Sequence, residues 1–116
     1  MREIKFRGRE QDGFWTYGDL RHEGNITGII ENGIYSWVDS STVGQFTGLL
    51  DSAGKEIYEG DIISIQGAFG ATATIVKWLE GMWCVKKNLP LNHVTGIATV
   101  VGNVHDNPSL LERGEN

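Results

Sequence analysis

The chain has 116 residues, a net charge of −5 and 22% charged residues, which fits one ordinary folded domain and excludes a disordered or collagen-like chain. Its only cysteine, Cys84, excludes an intrachain disulfide and a thiolate-rich metal site. The acidic balance disfavours general nucleic-acid binding, because phosphates repel an acidic surface unless its positive charge is locally clustered.

The sequence also limits the compartment. The segment from Met1 to Lys5 lacks the apolar core of a secretory signal. No apolar run approaches the ~20 residues that a membrane helix needs. Cys84, within the apolar run Met82 to Val85, is interpreted as a buried small hydrophobe. We therefore expect a cytoplasmic protein with no membrane partner.

Residue usage favours strands over helices. The chain has 11 Ile, 8 Val and 8 Thr against 5 Ala, and β-branched side chains suit a pleated sheet better than a helix. Its 16 glycines supply the positive φ angles that hairpin turns require. The composition therefore predicts an all-β protein made of successive hairpins.

The first predicted strand carries the basic strip, which we define as Lys5, Arg7 and Arg9. Because side chains alternate along a strand, we expect Ile4 and Phe6 to face inward and the basic strip to face outward. The simpler interpretation is a solvated face that protects a sheet edge from pairing with other chains. The alternative is an anion-binding site.

The second predicted strand, residues 14–20, is rich in aromatic side chains. Alternation places Trp15 and Tyr17 on one face and Phe14 and Leu20 on the other. If Phe14 and Leu20 line the core, Trp15 and Tyr17 lie outside, where large aromatic residues often mark an interface. If both faces are covered within the domain, all four residues are structural.

Turn signals divide the remainder of the first half. A polar loop is predicted at 21–25, and Asn32-Gly33 between apolar runs is the strongest hairpin signal in the chain. A turn or single helical turn at 39–42 is followed by a strand at 43–50. The chain then reverses at 51–54.

The second half continues as a meander and ends in a helix. Asn107 is expected to cap this helix and Pro108 to occupy its first turn. The predicted order is strand segments within 55–65, a Gly/Ala loop at 67–71, a strand at 72–79, a turn at Glu80-Gly81, a strand at 82–86, a polar link at 87–95, a strand at 97–104 and a helix at 107–113.

No catalytic motif is present in the sequence. The three histidines fall in separate predicted loops or strand ends without metal-site spacing, and the prominent carboxylates adjoin Gly or Asn, as turn and cap residues do. These residues are His22, His93, His105, Asp19, Asp61 and Asp106. We expect no catalytic residue, no cofactor and no bound metal. A metal site assembled from distant residues, or a pair of Cys84 with His93 or His105, is the enzymatic alternative.

Three blocks of sequence, in order along nearly the whole chain, carry a family resemblance. They are Arg2-Glu3-Ile4-Lys5-Phe6-Arg7-Gly8-Arg9, then Val43-Gly44-Gln45-Phe46-Thr47-Gly48-Leu49 with Gly54-Lys55-Glu56-Ile57-Tyr58-Glu59-Gly60-Asp61-Ile62, and finally Val101-Gly102-Asn103-Val104-His105-Asp106-Asn107-Pro108 with Leu110-Leu111. Together they resemble the YopX-like family of phage and prophage proteins. Phe46 and His105 depart from the family pattern, in which Tyr is expected at both positions. The resemblance implies an accessory protein of temperate phages or integrated elements and supplies no catalytic residues.

The middle block also has a structural explanation. Its glycines allow tight bends, Ile57 and Ile62 are expected in a core, and Asp61 is expected to accept backbone N–H bonds at a turn. The Gly-Asp-Ile-Ile segment is similar to the start of the first long strand in SH3-like barrels. We therefore predict one domain over 1–116: N-terminal hairpins at 1–50, a small SH3-like barrel meander at 51–105, and a short helix and tail at 106–116.

Binding is the leading functional hypothesis. We expect a homo-oligomer, because open β architectures leave strand edges that association can cover. A host or phage protein is the expected further partner. The alternatives are a nucleic-acid-binding SH3-like module that uses the basic strip and, third, a metal-dependent enzyme.

Overall fold

The computed structural model describes residues 3–114; Met1, Arg2, Glu115 and Asn116 lie outside the described residues. Antiparallel strands dominate, and the regular α-helix within the described range is a short one near its end. The all-β prediction is confirmed.

The strands and the helix follow the chain in a simple succession. They are β1 Phe6–Arg9, β2 Trp15–Glu23, β3 Ile26–Glu31, β4 Ile34–Trp37, β5 Asp39–Leu50, β6 Glu56–Tyr58, β7 Asp61–Gly67, β8 Gly70–Ile75, β9 Lys77–Leu79, β10 Met82–Val85, β11 Leu89–Pro90, β12 Ala98–Asn103 and α1 Ser109–Gly114. Short 3₁₀ turns flank β11 and precede β12. The chain forms two compact units, the first ending at Phe46 and the second beginning at Thr47.

The first unit is a sheet in the order β4-β3-β2-β1-β5, with strand β5 continuing into the second unit. Its β3–β4 hairpin turns at Asn32 and Gly33, whose φ angles are 52° and 82°. Glu31 and Ile34 pair on either side of that turn. The predicted Asn-Gly hairpin is therefore confirmed, because both central residues adopt the positive φ that a type I′ turn needs.

Two expectations for the first unit are wrong. The predicted loop at 21–25 is mostly strand, because β2 extends to Glu23 and pairs with β3 down to Ile26. Likewise, residues 39–42 form the start of β5, with a register shift against β1 between Arg7 and Arg9. Polar composition indicated loops at both places, but a two-sided hairpin exposed to water accepts polar side chains in its strands.

The second unit contains two three-stranded sheets and the larger core. The sheets have the orders β12-β7-β8 and β11-β10-β9. A buried apolar cluster gathers side chains from most of its elements: Ile57, Ile63, Ile65, Val76, Val85, Leu91, Val94 and Ala98. Ile57 and Ile62 are fully buried, which confirms their predicted place in a core.

The predicted strand at 72–79 is two strands, separated at Val76. The Val76 N–H donates to the carbonyl of Asp61, and the Val76 carbonyl accepts from the N–H of Gly60. These bonds divert the backbone from β8 into β9. The predicted loop at 67–71 is shorter than expected, because Gly67 and Gly70 already pair as strand residues.

The predicted terminal helix is present as α1, but it begins at Ser109, one residue after Pro108. The side chain of Asn107 accepts a hydrogen bond from the backbone N–H of Asn103 and not from the helix, whereas the backbone carbonyl of Asn107 accepts from the N–H of Leu110. Within residues 3–114, no helix combines the length and apolar character that crossing a membrane demands.

Candidate functional site

The basic strip lies against aromatic rings of the first unit. The guanidinium carbons of Arg7 and Arg9 stand 4.8 and 5.8 Å from the centroid of the Trp15 ring. Lys5 Nζ lies 5.3 Å from the centroid of the Phe46 ring, and 3.6 Å from a carboxylate oxygen of Glu3. These distances fit cation–π pairs.

The predicted burial of side chains in and just before β1 is wrong at two positions. Arg7 is only 6% exposed, whereas Ile4 is 65% exposed. Arg7 is directly opposite Tyr17 of β2 and Gly44 of β5, so its side chain packs over the sheet and the Trp15 ring. Ile4 precedes β1 and is not constrained by the alternation of that strand. Anion binding by the basic strip stays a prediction.

The expectation that Phe14 lines the core, on which the predicted aromatic interface depended, is also wrong. Phe14 precedes β2 and is 71% exposed, because it belongs to the β1–β2 turn. There its N–H donates to Asp12 Oδ1 and its carbonyl accepts from the N–H of Glu10. Trp15 is half-buried and Tyr17 is exposed. A role for Trp15 and Tyr17 at an interface stays a prediction.

A groove in the first unit, which we name the Trp37 groove, was not predicted from the sequence. It has a volume of about 600 Å³ and lies between the β1–β2 turn and the junction of β4 with β5. Its lining residues are Arg9, Glu10, Gln11, Gly13, Trp37, Val38 and Asp39. A second depression of about 410 Å³ shares Glu10, Gln11 and Trp37 and adds Asp12 and Tyr35.

Backbone contacts hold the walls of the Trp37 groove. The Val38 N–H donates to the carbonyl of Thr27 at 3.0 Å, and Val38 packs over Gly8, where an added Cβ would lie 2.7 Å from Val38 Cγ2. Asp39 stands opposite Arg9 in the register of β1 with β5. Trp37 is 66% exposed, so its indole ring is available to a ligand.

A second exposed apolar surface lies in the second unit. The hairpin patch, defined as Trp78, Leu79 and Met82, surrounds the turn at Glu80 and Gly81. Trp78 is 49% exposed and contacts Trp83 edge-on, with ring centroids 4.8 Å apart. Strand β9 is the outer strand of its three-stranded sheet. An apolar outer strand is a natural place for association.

Three of the residues considered for catalysis, Cys84, Asp61 and His22, are buried or make structural contacts. Cys84 is buried, as predicted. Asp61 is buried and accepts a hydrogen bond from the Tyr58 N–H at 2.7 Å, which confirms its predicted turn role. His22 Nδ1 lies 3.3 Å from Thr27 Oγ1. Among residues 3–114, no group of three or more His, Cys, Asp or Glu side chains is arranged to hold a metal ion.

Comparison with known proteins agrees with the three sequence blocks. The family described as YopX protein matches residues 2–112. This chain belongs to the YopX family. A solved structure, that of protein EF1440 from Enterococcus faecalis, is similar to this YopX chain with a TM-score of 0.66 and 20% identity, covering 96% of this chain and 99% of that one. At this identity the likeness shows a shared fold. No curated protein matches this YopX chain significantly.

The Trp37 groove and the hairpin patch of this YopX chain are not predicted by the sequence analysis, because their signals in the sequence are weak. Trp37 and Val38 belong to the apolar run that follows Asn32-Gly33, yet Trp37 is exposed because β4 ends there and the chain turns into β5. Trp78, Leu79 and Met82 flank Glu80-Gly81, which was recognised as a turn. The turn itself indicated that these apolar side chains stand at the end of a hairpin, where cover from the core is limited.

Proposed function

We propose that this chain is an accessory protein of temperate phages or integrated elements that acts in the bacterial cytoplasm as a non-catalytic, self-associating protein-interaction module. Membership of the YopX family supports the phage assignment. The structural positions of Cys84 and Asp61 support a role that needs no active site.

The hairpin patch is the observation that carries the proposal of self-association. Three apolar side chains are exposed around a two-residue turn: Leu79 and Met82 form a cross-strand pair on one face of the hairpin, and Trp78 lies on the other face. Strand β9 has three residues, all exposed, on the outside of its sheet. Natural edge strands are usually protected by charge, proline or a cover. In β9, Lys77 is the one charged side chain. The strand therefore has little protection of its own, and a second copy of the chain could cover its exposed edge.

An SH3-like arrangement of the second unit belongs to the same proposal. The β7–β8 hairpin, with β12 beside β7, supports a small meander of the kind found in such barrels. Strands β9 and β10 follow as a further hairpin, in a separate three-stranded sheet. Modules of this kind bind partners through strand edges and exposed aromatic residues.

Light scattering at several protein concentrations tests self-association. We expect a mass above that of the monomer, and a shift toward monomer in the double variant Leu79→Lys/Met82→Glu. These two residues pair directly across β9 and β10, so opposite charges there preserve the hairpin while removing the apolar pair from that face. Ile34→Lys, at an exposed position on the outer strand β4, is the matched control and should keep the larger mass. A strictly monomeric mass of the natural protein at high concentration would remove the proposal.

Nucleic-acid binding through the basic strip is the second candidate, supported by the placement of three cations beside aromatic rings on one face. The burial of Arg7 and the ion pair of Lys5 with Glu3 weigh against it. Measuring affinity for single- and double-stranded DNA against salt separates the two candidates, because phosphate contacts weaken steeply as salt rises. The absence of binding at low salt would exclude this candidate.

A further inference from the structure

We propose that the Trp37 groove binds an arginine side chain presented by a basic segment of a partner protein. This site lies in the first unit, and it does not rest on self-association through the hairpin patch. Three features of the groove carry the inference: an exposed aromatic ring, a carboxylate-rich rim and a wall of fixed backbone.

The aromatic ring comes first. Trp37 lines both the 600 Å³ groove and the adjoining 410 Å³ depression, so its indole ring faces the shared space. Tryptophan is the strongest aromatic partner for a cation, and a planar guanidinium stacks on it better than an ammonium does. Trp15 illustrates this chemistry within the same unit, since Arg7 and Arg9 both stand over its ring.

The net charge of the groove lining favours a positively charged ligand. Glu10, Asp12 and Asp39 line the groove and its depression, against the single cation Arg9, whose guanidinium lies toward Trp15. The net charge of the lining is therefore −2, in a chain whose own net charge is −5. A nucleobase could also stack on Trp37, but its phosphates would approach this acidic rim, so a cationic side chain fits the charge better.

The carboxylates sit on an ordered frame. Asp12 Oδ1 accepts the N–H of Phe14 at 3.1 Å, and Asp39 Oδ1 accepts the N–H and hydroxyl of Ser41 at 3.0 and 2.8 Å. These bonds fix the two side chains near the backbone. A carboxylate in a fixed position binds the forked donors of a guanidinium more strongly than a mobile one does, since less side-chain entropy is lost on binding.

The test uses the full chain and a short acetylated peptide with one central arginine. The readout is the indole N–H signal of Trp37 in ¹⁵N-resolved NMR, which is assigned as the signal missing from Trp37→Leu. We expect this signal to shift with the arginine peptide, with a dissociation constant on the order of millimolar or tighter. The same peptide with citrulline, an uncharged isostere, should shift it at least about threefold more weakly.

Variants locate the site. Trp37→Leu, followed through the backbone N–H signal of the groove residue Gly13, and Glu10→Gln/Asp12→Asn should each weaken peptide binding several-fold. The amide introduced by Asp12→Asn retains an oxygen that can accept the Phe14 N–H. Trp78→Leu, another exposed tryptophan, is the matched control and should bind as the natural protein does. The inference is overturned by no shift of the Trp37 signal at millimolar peptide, by equal binding of the citrulline peptide, or by tighter binding of an oligothymidylate at this signal.

Discussion

The carboxylate of Asp51 joins the turn after β5 to strand β12: its Oδ2 accepts a hydrogen bond from the backbone N–H of Val100 at 2.8 Å, across 49 residues of sequence. Its other oxygen accepts the N–H groups of Ala53 and Lys55, both at 2.9 Å. Asp51 is buried. One side chain therefore holds the turn closed and fastens it to β12, within the second unit.

Replacing Asp51 by Asn should destabilise the protein. Asn retains one acceptor oxygen, so the backbone N–H of Val100 or those of the turn lose their partner while still buried. An unpaired buried donor costs about 1–3 kcal/mol. Urea unfolding should show a lower midpoint with an unchanged slope. Asp12→Asn is the matched control, because Asp12 is exposed and accepts one local bond; a midpoint for Asp51→Asn equal to that of the control would contradict the assignment.

The contribution of Asp51 should depend on pH. Burial raises the pKa of its carboxyl, but hydrogen bonds from the backbone N–H groups of Val100, Lys55 and Ala53, with the charge of Lys55, outweigh burial and hold that pKa below the ordinary 3.8. A carboxyl with a lowered folded-state pKa stabilises the protein fully above its unfolded pKa. That stabilisation is lost as the pH falls through the folded pKa. The stability difference between natural protein and Asp51→Asn should therefore narrow below about pH 4, and an equal difference at pH 7 and pH 3 would be inconsistent with this.

Gly28 should not tolerate a side chain. A Cβ at this position would overlap Cε1 and Cζ of the Tyr35 ring, which lies across β3. Gly28→Ala should lower the free energy of unfolding by about 1–3 kcal/mol, the usual effect of overpacking. Gly96→Ala is the control, because nothing lies within 4 Å of its Cβ position, and its effect should be within about 0.5 kcal/mol.

A second substitution tests the reason for this loss. Tyr35→Ala removes the ring that the added Cβ would strike, so Gly28→Ala should cost much less in the Tyr35→Ala background than in the natural protein. Contacting residues show such non-additivity in double-mutant cycles. Equal costs in both backgrounds, measured by urea unfolding, would show that the Tyr35 ring is not the obstacle.

Local signals in the sequence accounted for the features that depend on local chemistry. Asn32-Gly33 specified its turn through positive φ, and the Glu80-Gly81 turn likewise has φ angles of 50° and 85°. The roles of Asp61 and Ile62 were predicted correctly. A carboxylate at a turn and a buried apolar strand residue depend on local sequence, and their roles do not change with the partner of the strand.

The errors arose where long-range packing overrides alternation. Arg7 is buried because the Trp15 ring packs against it and Gly44 lies opposite it, and neither neighbour is adjacent in sequence. Val76 interrupts a strand through bonds to Gly60 and Asp61, which periodicity does not reveal. The Trp37 groove is assembled from the segments 9–13 and 35–39 and could be found only after strand pairing was known.

Cys84 should be chemically inert in the folded protein. It is 2% exposed and lies on the middle strand of the β9–β10–β11 sheet, opposite Lys77 and Pro90. A buried thiol is not accessible to a reagent in solution. A disulfide reagent that releases a coloured thiolate should therefore react slowly in native buffer and rapidly, with one thiol per chain, in urea. The double variant Cys84→Ala/Ser40→Cys, which moves the thiol to an exposed position, should react rapidly under both conditions. Rapid stoichiometric reaction of the natural protein in native buffer would mean that β10 opens readily, and the apolar cluster around Val85 could not then be the stable centre of the second unit.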